Sequence, residues 1–411
     1  MSWECTLGLL NVRVSFSARG SDLPKQLLFI PGPVTVADSV LAAMARPLID
    51  HRGSEFAALL GRIERGMQPI FGTSAEVIVL GASGTGGLEA AVASTFSPGE
   101  RVLAAPVGVF GKRLIAIAKQ YGLIVDVLET PWGSAVDPAA LAAKLHEPAA
   151  EAYAGIFMTH NETSTGVQND MAALAAAIGS HPAMRIVDSV SGLGASAFTM
   201  DAWGFDIVVT ASQKALAVPP GLAMVAVSER AWSKIAGATS PRFNADLQKA
   251  REFKALGQTP WTPPVSICYA LDAAIAAYHA EGAPAVYARH ETYARAIRAA
   301  AGALGLDLYS QPGAHSVTVV AMKLPATLDA AALRKALRED DGVVMGGGQA
   351  ELKGKILRMG TMGALARSDV LGGIAALEFA LGRQGHAFER GSGVRAALEV
   401  FLEQTAELAR V

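Results

Sequence analysis

Between Gln26 and about Ala280, short β-branched apolar runs alternate with alanine-rich helical stretches, and this alternation limits the possible folds more than any other feature. Strands alternating with helices favour a mostly parallel sheet covered by helices, because each crossover returns the chain to the same end of the sheet. The candidate strands are EVIVL, RVLAA, Ile124–Glu129, GIFM, MRIVD, DIVVT and LAMVAVS. They predict an α/β large domain, residues 26–280, around a mostly parallel sheet of seven strands.

The pattern changes from about Glu281 onward. A long helical stretch is followed by the strand SVTVVAMKL, a helix that begins at Asp329, and the strands GVVMG and ILRMG. This predicts a smaller C-terminal α+β domain, residues 281–411, with a helical tail that ends at Arg410. Residues 1–25 mix charged residues with short apolar pieces, so we expect an N-terminal arm that packs on a partner, or an extended start, rather than a secretion signal; organelle targeting is a weaker alternative.

Length and composition indicate the number of domains and the kind of molecule that the protein binds. The 411 residues exceed the single-core limit of roughly 250–300 residues, which also favours two domains. Charged residues make up 18%, the net charge is −2, and no basic stripe or long apolar run occurs, which argues against nucleic acid and membrane. Cys5 and Cys268 suit no disulfide framework and have no metal-ligand spacing, so we expect a cytoplasmic protein that binds small molecules and no metal.

Two polar residues follow two of the apolar runs. Asp188 ends MRIVD, and Lys214 comes shortly after DIVVT. Both should lie at the carboxyl edge of the sheet, where open α/β sheets bind ligands. An acid and an amine at one edge suit a pyridine cofactor, because the acid holds the ring nitrogen protonated and the lysine forms an imine. Taken alone, such a pair is more often a strand-end aspartate and a solvated lysine.

The segment GASGTGGLE, residues 81–89, joins the run EVIVL to a helix and predicts an anion site. Its glycines let backbone N–H groups turn toward an anion, Ser83 and Thr85 add hydroxyl donors, and the helix N-terminus adds its positive dipole end. The segment lacks the features of a Walker A loop and of a dinucleotide site. A plain tight turn is the alternative, but the position at the same sheet edge favours a phosphate site.

Three further side chains can contact a cofactor at the same edge of the sheet. Gln213, beside Lys214, has an amide donor that can reach the phosphate. Phe110, in the strand-to-helix loop PVGVFGKR, can lay its face on a pyridine ring, a contact of about 0.5–1.5 kcal/mol beyond burial. Ordinary core packing is the alternative for Phe110. Thr163, in HNETSTG, can reach the edge of the ring.

Eight motifs span nearly the whole length after residue 28. They are FIPGPVTV at 29–36, DHRGSEF at 50–56, SGTGGLEA at 83–90, THNETSTGV at 159–167, VDSVSGLGA at 187–195, SQKALAVPPGLA at 212–223, TPWTPPVS at 259–266 and GKILRMGTMG at 354–363. Together they resemble the class V aminotransferases of fold type I, in the alanine/serine–glyoxylate aminotransferase group. The SQKAL…PPG run and its spacing to VDSVS are the most specific of them.

The resemblance implies pyridoxal 5'-phosphate as cofactor, with Lys214 as the Schiff-base lysine and Asp188 on the pyridine nitrogen. The residues that it places against the cofactor phosphate or ring are Ser83, Gly84, Thr85, Phe110, Thr163, Val190 and Gln213. It also implies a homodimer in which Thr262, in TPWTPPVS, reaches the neighbouring subunit's cofactor. Trp261 stands where an aromatic residue with a hydroxyl is common in the family.

The same resemblance implies two substrate-binding residues. Arg358 is the inferred carboxylate clamp, because a guanidinium grips a carboxylate with two parallel hydrogen bonds and lysine does not. A surface ion pair is the alternative for Arg358. Gly32, in the PGP turn, resembles backbone that lies against the substrate. Thr361 stands where many relatives have histidine, which leaves the substrate preference open.

The implied activity is ping-pong transfer of the amino group of a small amino acid, such as serine or alanine, to glyoxylate or pyruvate. Another pyridoxal-phosphate reaction on this fold, such as that of a lyase or a desulfurase, is one alternative, but a desulfurase needs a mobile cysteine and Cys268 lies in a helix-like stretch. A pyridoxamine-using aminotransferase would want a further arginine near Gly346–Gly348, where this chain has Gln349. A non-catalytic homologue is the last alternative, disfavoured by the intact lysine, aspartate and arginine.

Overall fold

The computed structural model describes residues 26–408, so the predicted N-terminal arm and Arg410 of the tail lie outside the described residues. Its strands are β1 (Leu27–Phe29), β2 (Glu76–Leu80), β3 (Arg101–Ala105), β4 (Ile124–Val127), β5 (Tyr153–Thr159), β6 (Asn161–Glu162), β7 (Val167–Gln168), β8 (Met184–Asp188), β9 (Ile207–Ala211), β10 (Ala223–Val227), β11 (Val319–Lys323), β12 (Val343–Gly347) and β13 (Ile356–Gly360). Its helices are α1 (Asp38–Met44), α2 (Ser54–Phe71), α3 (Gly84–Thr95), α4 (Val109–Gln120), α5 (Pro138–Leu145), α6 (Met171–Ile178), α7 (Met200–Trp203), α8 (Glu229–Ile235), α9 (Leu247–Lys254), α10 (Val265–Glu281), α11 (Ala283–Ala303), α12 (Ala330–Asp341), α13 (Arg367–Arg383) and α14 (Ser392–Leu408).

The larger sheet has seven strands in the order β2-β10-β9-β8-β5-β3-β4. Strand β10 pairs antiparallel with β2 and β9, and the other pairings are parallel. Ile186, Val187, Val208 and Val209 are fully buried, because apolar clusters cover both faces of the sheet and β-branched side chains pack against them. The predicted α/β class with a mostly parallel seven-stranded sheet is confirmed.

The smaller sheet has four strands in the order β1-β12-β13-β11. Three of them match the predicted C-terminal strands, and an apolar cluster that includes Phe29, Leu337 and Ile374 packs against it. Strand β1 pairs parallel with β12, so Leu27–Phe29 belongs to this sheet and not to the large domain that the sequence predicts from residue 26. A three-residue strand is too short for its pattern to indicate which sheet it joins. The chain therefore passes from the small sheet to the large one directly after β1.

Helix α3 packs close against the large sheet because two of its residues lack a side chain. A Cβ at Gly84 would lie 2.8 Å from Val190 Cγ2, and a Cβ at Gly87 would lie 2.8 Å from Val209 Cγ1. Glycine at both positions permits this close approach. The N-terminus of α3 is thereby held at the carboxyl ends of β8 and β9.

Candidate active site

Asp188 is the last residue of β8, and its side chain is buried at the edge of the sheet. Its Oδ1 accepts a 3.0 Å hydrogen bond from the backbone N–H of Val190. Burial raises the pKa of Asp188 to about 6, and the Val190 N–H and the charge of Lys214 counteract part of that rise. The carboxyl is therefore mostly ionised at neutral pH and can hold a protonated nitrogen beside it.

Lys214 follows the end of β9, and its Nζ donates a hydrogen bond to the carbonyl of Pro31. Burial lowers the pKa of Lys214 to about 8. The charge of Asp188 opposes this change, whereas the positive charges of Arg358 and Arg113 add to it. A neutral amine is thus accessible near physiological pH, and its lone pair can attack a carbonyl or accept a proton.

The phosphate cup, residues 81–89, lies at the start of α3 as the sequence predicts. Ser83 caps the helix, and its Oγ accepts a 3.4 Å hydrogen bond from the N–H of Gly86. Arg113 of α4 donates a 3.2 Å hydrogen bond to Thr85 Oγ1 and forms no ion pair within residues 26–408. Sequence reasoning missed this cation, although FGKR places it one helical turn after Phe110. The cup therefore combines a helix N-terminus, hydroxyl groups and a guanidinium, all of which favour an anion.

Phe110 is half-buried in the first turn of α4. The guanidinium carbon of Arg113 lies 4.7 Å from the centre of its ring, a distance typical of a cation–π contact. The backbone N–H groups of Phe110 and Gly111 donate hydrogen bonds of 2.9 and 3.1 Å to the buried carboxylate of Glu162. The ring is therefore fixed through its own face and through its backbone.

Arg358 is only 5% exposed, which rules out the surface ion-pair interpretation. Its Nε donates to the Gly347 carbonyl at 2.9 Å and its Nη1 donates to the Thr163 carbonyl at 2.7 Å. Burial lowers its pKa to about 10, so the guanidinium stays charged at neutral pH. No carboxylate of the described chain pairs with it. A buried cation with hydrogen bonds only to carbonyls favours an anionic ligand strongly.

Pairwise contacts link the candidate residues into one continuous group. A Cβ at Gly346 would lie 3.4 Å from Pro31 Cδ and 3.5 Å from Arg358 Nε, so Arg358 lies next to the turn that binds Lys214. Passing from each residue to the next that it contacts, the group consists of Asp188, Val190, Gly84, Thr85, Arg113, Phe110, Glu162, Thr163, Arg358, Gly346, Pro31 and Lys214. The amine, the acid, the predicted phosphate cup, the Phe110 ring and the buried guanidinium thus belong to one region of the molecule.

The comparison with protein families decides the class of enzyme. The family model described as "Aminotransferase class-V" matches residues 39–367. The chain belongs to the class V aminotransferases.

Individual relatives are similar over nearly their whole length. The protein named "Soluble hydrogenase 42 kDa subunit" from Anabaena cylindrica is 37% identical over 92% of this chain and 99% of its own. The protein named "L-aspartate--glyoxylate aminotransferase" from Paracoccus denitrificans is 37% identical over 92% of this chain and 97% of its own. The crystal structure of pyridoxamine-pyruvate aminotransferase from Mesorhizobium loti is 32% identical, covers 94% of this chain and 99% of that one, and gives a TM-score of 0.87. Fold type I and aminotransferase activity are thereby confirmed.

The cofactor of this aminotransferase is pyridoxal 5'-phosphate, and the candidate residues fit it. The Oε1 atom of Gln213 is buried without a hydrogen-bond partner in the described chain, and turning the amide would present its N–H group instead. Asp188 uses one carboxylate oxygen for the Val190 N–H and keeps the other for a ring nitrogen. The amide of Gln213 thus suits an anionic phosphate, and the carboxylate of Asp188 suits a basic nitrogen.

Of three further residues that the sequence singles out, Thr262 and Trp261 lie beside the cup, and Thr361 lies in the small domain. Thr262 is exposed and lines a cavity of about 170 Å³ with Gly81, Ala82 and Gly86 at the start of the cup. Trp261 stacks on Phe243, with ring centres 4.7 Å apart. Thr361 is fully buried, and its Oγ1 donates a 2.6 Å hydrogen bond to the Val317 carbonyl. The hydroxyl of Thr361 therefore serves the packing of the small domain.

The structure also bears on the alternative reactions. Cys268 is buried within α10, and burial raises the pKa of its thiol to about 12, so it cannot act as a mobile nucleophile. Beside the turn where a further arginine was sought, Arg334 of α12 does lie close, with Nη1 2.6 Å from where a Gly347 Cβ would stand. Over residues 26–408, no helix is long and apolar enough to cross a membrane, and no group of three His, Cys, Asp or Glu side chains can hold a metal ion.

Gly32 gives a direct test of this geometry. Its φ is +127°, and a Cβ there would lie 2.9 Å from Lys214 Nζ and 3.0 Å from the Gln213 carbonyl. Gly32→Ala should therefore displace Lys214 and weaken uptake of pyridoxal phosphate by about tenfold or more, measured by titrating the apoenzyme. Gly99→Ala is the matched control, because Gly99 has a φ of +88° but nothing within 4 Å of its Cβ position. Equal cofactor affinity in both variants would contradict the assigned contact.

Proposed function

We propose that this aminotransferase moves the amino group of a small amino acid, such as serine or alanine, to glyoxylate or pyruvate by a ping-pong mechanism. The observation that carries the proposal is the buried, unpaired guanidinium of Arg358 in the same region as the neutral-prone amine of Lys214. Arg358 would bind the carboxylate that all these substrates share, and Lys214 would exchange protons with their α-carbon. The acceptors named for two of the relatives, glyoxylate and pyruvate, support the choice of small 2-oxo acids.

In this proposal Arg358 orients the substrate. Its Nε and Nη1 are already bonded to carbonyls, so the remaining edge of the guanidinium faces the incoming carboxylate. When bound, pyridoxal phosphate supplies a carbonyl that exchanges amino groups and a ring that accepts electrons. Ser83, Thr85, Gln213 and the first N–H groups of α3 would hold its phosphate, with Phe110, Thr163 and Val190 beside the ring. The substrate is thereby fixed at both ends before any bond breaks.

Lys214 and Asp188 then handle the protons. Lys214 would hold the cofactor through its Nζ until the substrate amine takes its place. The free Nζ, whose pKa of about 8 leaves it partly neutral near physiological pH, would remove and return the proton at the reacting carbon. Asp188 would keep the ring nitrogen protonated, because its buried carboxylate favours the charged form of a basic nitrogen beside it.

Initial-rate kinetics test the proposed order of events. Double-reciprocal plots for serine or alanine at several fixed glyoxylate concentrations should give parallel lines, because the first product leaves before the second substrate binds. Intersecting lines would require both substrates on the enzyme together and would contradict the ping-pong scheme. Pyridoxamine belongs among the donors tested, since Arg334 lies beside Gly347.

The pH dependence of cofactor uptake should reflect the lowered pKa of the Lys214 amine. The neutral form of Lys214 is the nucleophile, so the uptake rate should rise with pH and level off at about 8, where an ordinary lysine would still be gaining reactivity. Stopped-flow absorbance on mixing apoenzyme with pyridoxal phosphate measures the rate. N-α-acetyl-lysine is the control for the titration of the aldehyde itself. A rate that keeps rising beyond pH 10 would show that the amine is not perturbed.

We further propose that the enzyme is a cytoplasmic homodimer in which Thr262 reaches the partner's phosphate cup. The exposure of Thr262 supports an interface at this segment, as does the 70% exposure of Phe243, which stacks on the neighbouring Trp261. The free, buried thiol of Cys268 suits a reducing compartment. The large and small domains proposed from the sequence, 26–280 and 281–411, with Leu27–Phe29 joined to the small one, would both contribute residues to each active site. Sedimentation equilibrium tests the dimer, and a monomeric active enzyme would contradict it.

A further inference from the structure

Glu162 takes no part in the steps above, although it lies at the centre of the site. Its side chain is fully buried, and it follows β5 directly in the short strand β6. One oxygen, Oε2, accepts the N–H groups of Phe110 and Gly111 at 2.9 and 3.1 Å. These are N–H groups of the first turn of α4, which have no partner within the helix. The carboxylate therefore caps the helix that carries the ring-stacking residue.

The other carboxylate oxygen of Glu162 also accepts two hydrogen bonds. Oε1 accepts the backbone N–H of Ser164 at 3.0 Å and its hydroxyl at 2.6 Å. Backbone N–H groups can only donate, so the surroundings offer hydrogens to both oxygens and suit an ionised carboxylate. A Cβ at Gly108 would lie 2.5 Å from both Glu162 Cγ and Ser164 Oγ, so the backbone before α4 packs directly against both side chains. The position of α4 is consequently fixed relative to β6.

The next residue along the chain, Thr163, connects Glu162 to Arg358. The carbonyl of Thr163 accepts the 2.7 Å hydrogen bond from Arg358 Nη1. The negative charge of Glu162 also raises the pKa of Arg358, against the effect of burial. Glu162 forms no ion pair with Arg358 in residues 26–408, so it offsets the buried cation without occupying the edge that would bind a substrate.

We propose that Glu162 is a positioning residue that sets both the ring face of Phe110 and the carboxylate-binding geometry of Arg358. It does so by holding the start of α4 and the segment Glu162–Ser164 in one arrangement. The inference rests on the proposed function for the role of Arg358. The proposed effect of Glu162 on Phe110 does not rest on the substrate class. It needs only that the enzyme binds pyridoxal phosphate, the cofactor of the family.

Glu162→Gln tests the inference, because it keeps the shape of the side chain but removes its charge. An amide nitrogen would face either the two helix N–H groups or the two donors of Ser164, and donors repel one another. We expect the affinity for pyridoxal phosphate to fall about tenfold or more. The visible circular dichroism of the bound cofactor should change, and the inhibition constant of propionate, a carboxylate without an amino group, should rise by a similar factor.

Glu378→Gln is a matched control. Glu378 accepts the N–H groups of Gly391, Gly393 and Val394 before and at the start of α14, at 2.8, 2.8 and 3.0 Å, so its chemistry is the same but its place is in the small domain. It should lower thermal stability without changing the cofactor spectrum or the propionate constant. If Glu162→Gln also lowers stability alone, with unchanged cofactor affinity, dichroism and inhibition, the positioning role is wrong.

Ser164→Ala supplies the decisive variant if Glu162→Gln does not fold. It removes one donor to Oε1 and the acceptor of the Val109 N–H at the start of α4, but it keeps the charge of Glu162 and its two bonds to Phe110 and Gly111, so we expect smaller changes in the same directions. Unchanged cofactor affinity and dichroism in Ser164→Ala would then overturn the inference. Because these two signals need no turnover, they distinguish a failure of this inference from a failure of the proposed donor and acceptor classes, which only turnover assays reveal.

Discussion

Lys214→Ala is expected to lower turnover by at least about 10³-fold, because the variant loses both the covalent hold on the cofactor and the base that moves the α-proton. No other lysine of the described chain has a pKa lowered by burial to about 8. The Nζ of Lys214 is bonded to the Pro31 carbonyl, beside the glycine against which a substrate would lie. Steady-state assays with serine or alanine as donor and glyoxylate as acceptor measure the loss.

The same variant should still bind pyridoxal phosphate non-covalently. The cup at Ser83–Thr85, the ring of Phe110 and the carboxylate of Asp188 are untouched by the substitution, and equilibrium dialysis should therefore show a weakened but measurable affinity. Lys335→Ala is the control, since Lys335 lies on the surface of α12 in a long ion pair with Glu339. Small primary amines added to Lys214→Ala should restore part of the activity. Full turnover without them would rule out the role of Lys214.

Arg358→Lys is expected to have the second largest effect, a fall in kcat/KM for the amino donor of about 10–100-fold, since a charge-assisted hydrogen bond is worth about 1.5–3 kcal/mol. A lysine ammonium keeps the charge but cannot bind a carboxylate with two parallel hydrogen bonds. Nor can it reach the carbonyls of Gly347 and Thr163 in the same geometry as the guanidinium. Most of the loss should appear as a raised KM, because the clamp acts on bound substrate before and during the chemistry.

Arg395→Lys is the control for that substitution. Arg395 is an exposed residue paired with Glu389 at 2.8 Å, so an ammonium can replace its guanidinium with little consequence. Cofactor affinity should remain near the unmodified value in both variants. An unchanged KM in Arg358→Lys would show that the substrate carboxylate is bound elsewhere.

Sequence patterns predicted most elements that bear the site. The runs EVIVL, MRIVD and ILRMG coincide with β2, β8 and β13, because each is a short and mostly apolar run that ends abruptly. The sequence also predicted the start of a helix where a capping aspartate precedes it. Asp137 and Asp329 each accept a hydrogen bond from a backbone N–H two residues on, as the pattern of an aspartate before a helical stretch predicts.

The features that were missed depend on tertiary contacts. Strand β1 takes its place from its pairing with β12, which lies more than 300 residues further along the chain. Arg113 and Glu162 acquire their roles only once α4 packs against β6, and no local pattern around either residue indicates that packing. The shifted pKa values of Asp188 and Lys214 also come from burial, which no local pattern encodes.

The half-reactions test the central claim most directly. The enzyme loaded with pyridoxal phosphate is mixed with serine, alanine, aspartate and pyridoxamine in turn, and the absorbance of the cofactor is followed without any acceptor. We predict that at least one amino acid converts the cofactor stoichiometrically to its amine form, and that glyoxylate or pyruvate then restores the original spectrum. If no amino acid converts the cofactor, the proposed aminotransfer by Lys214, Asp188 and Arg358 is contradicted.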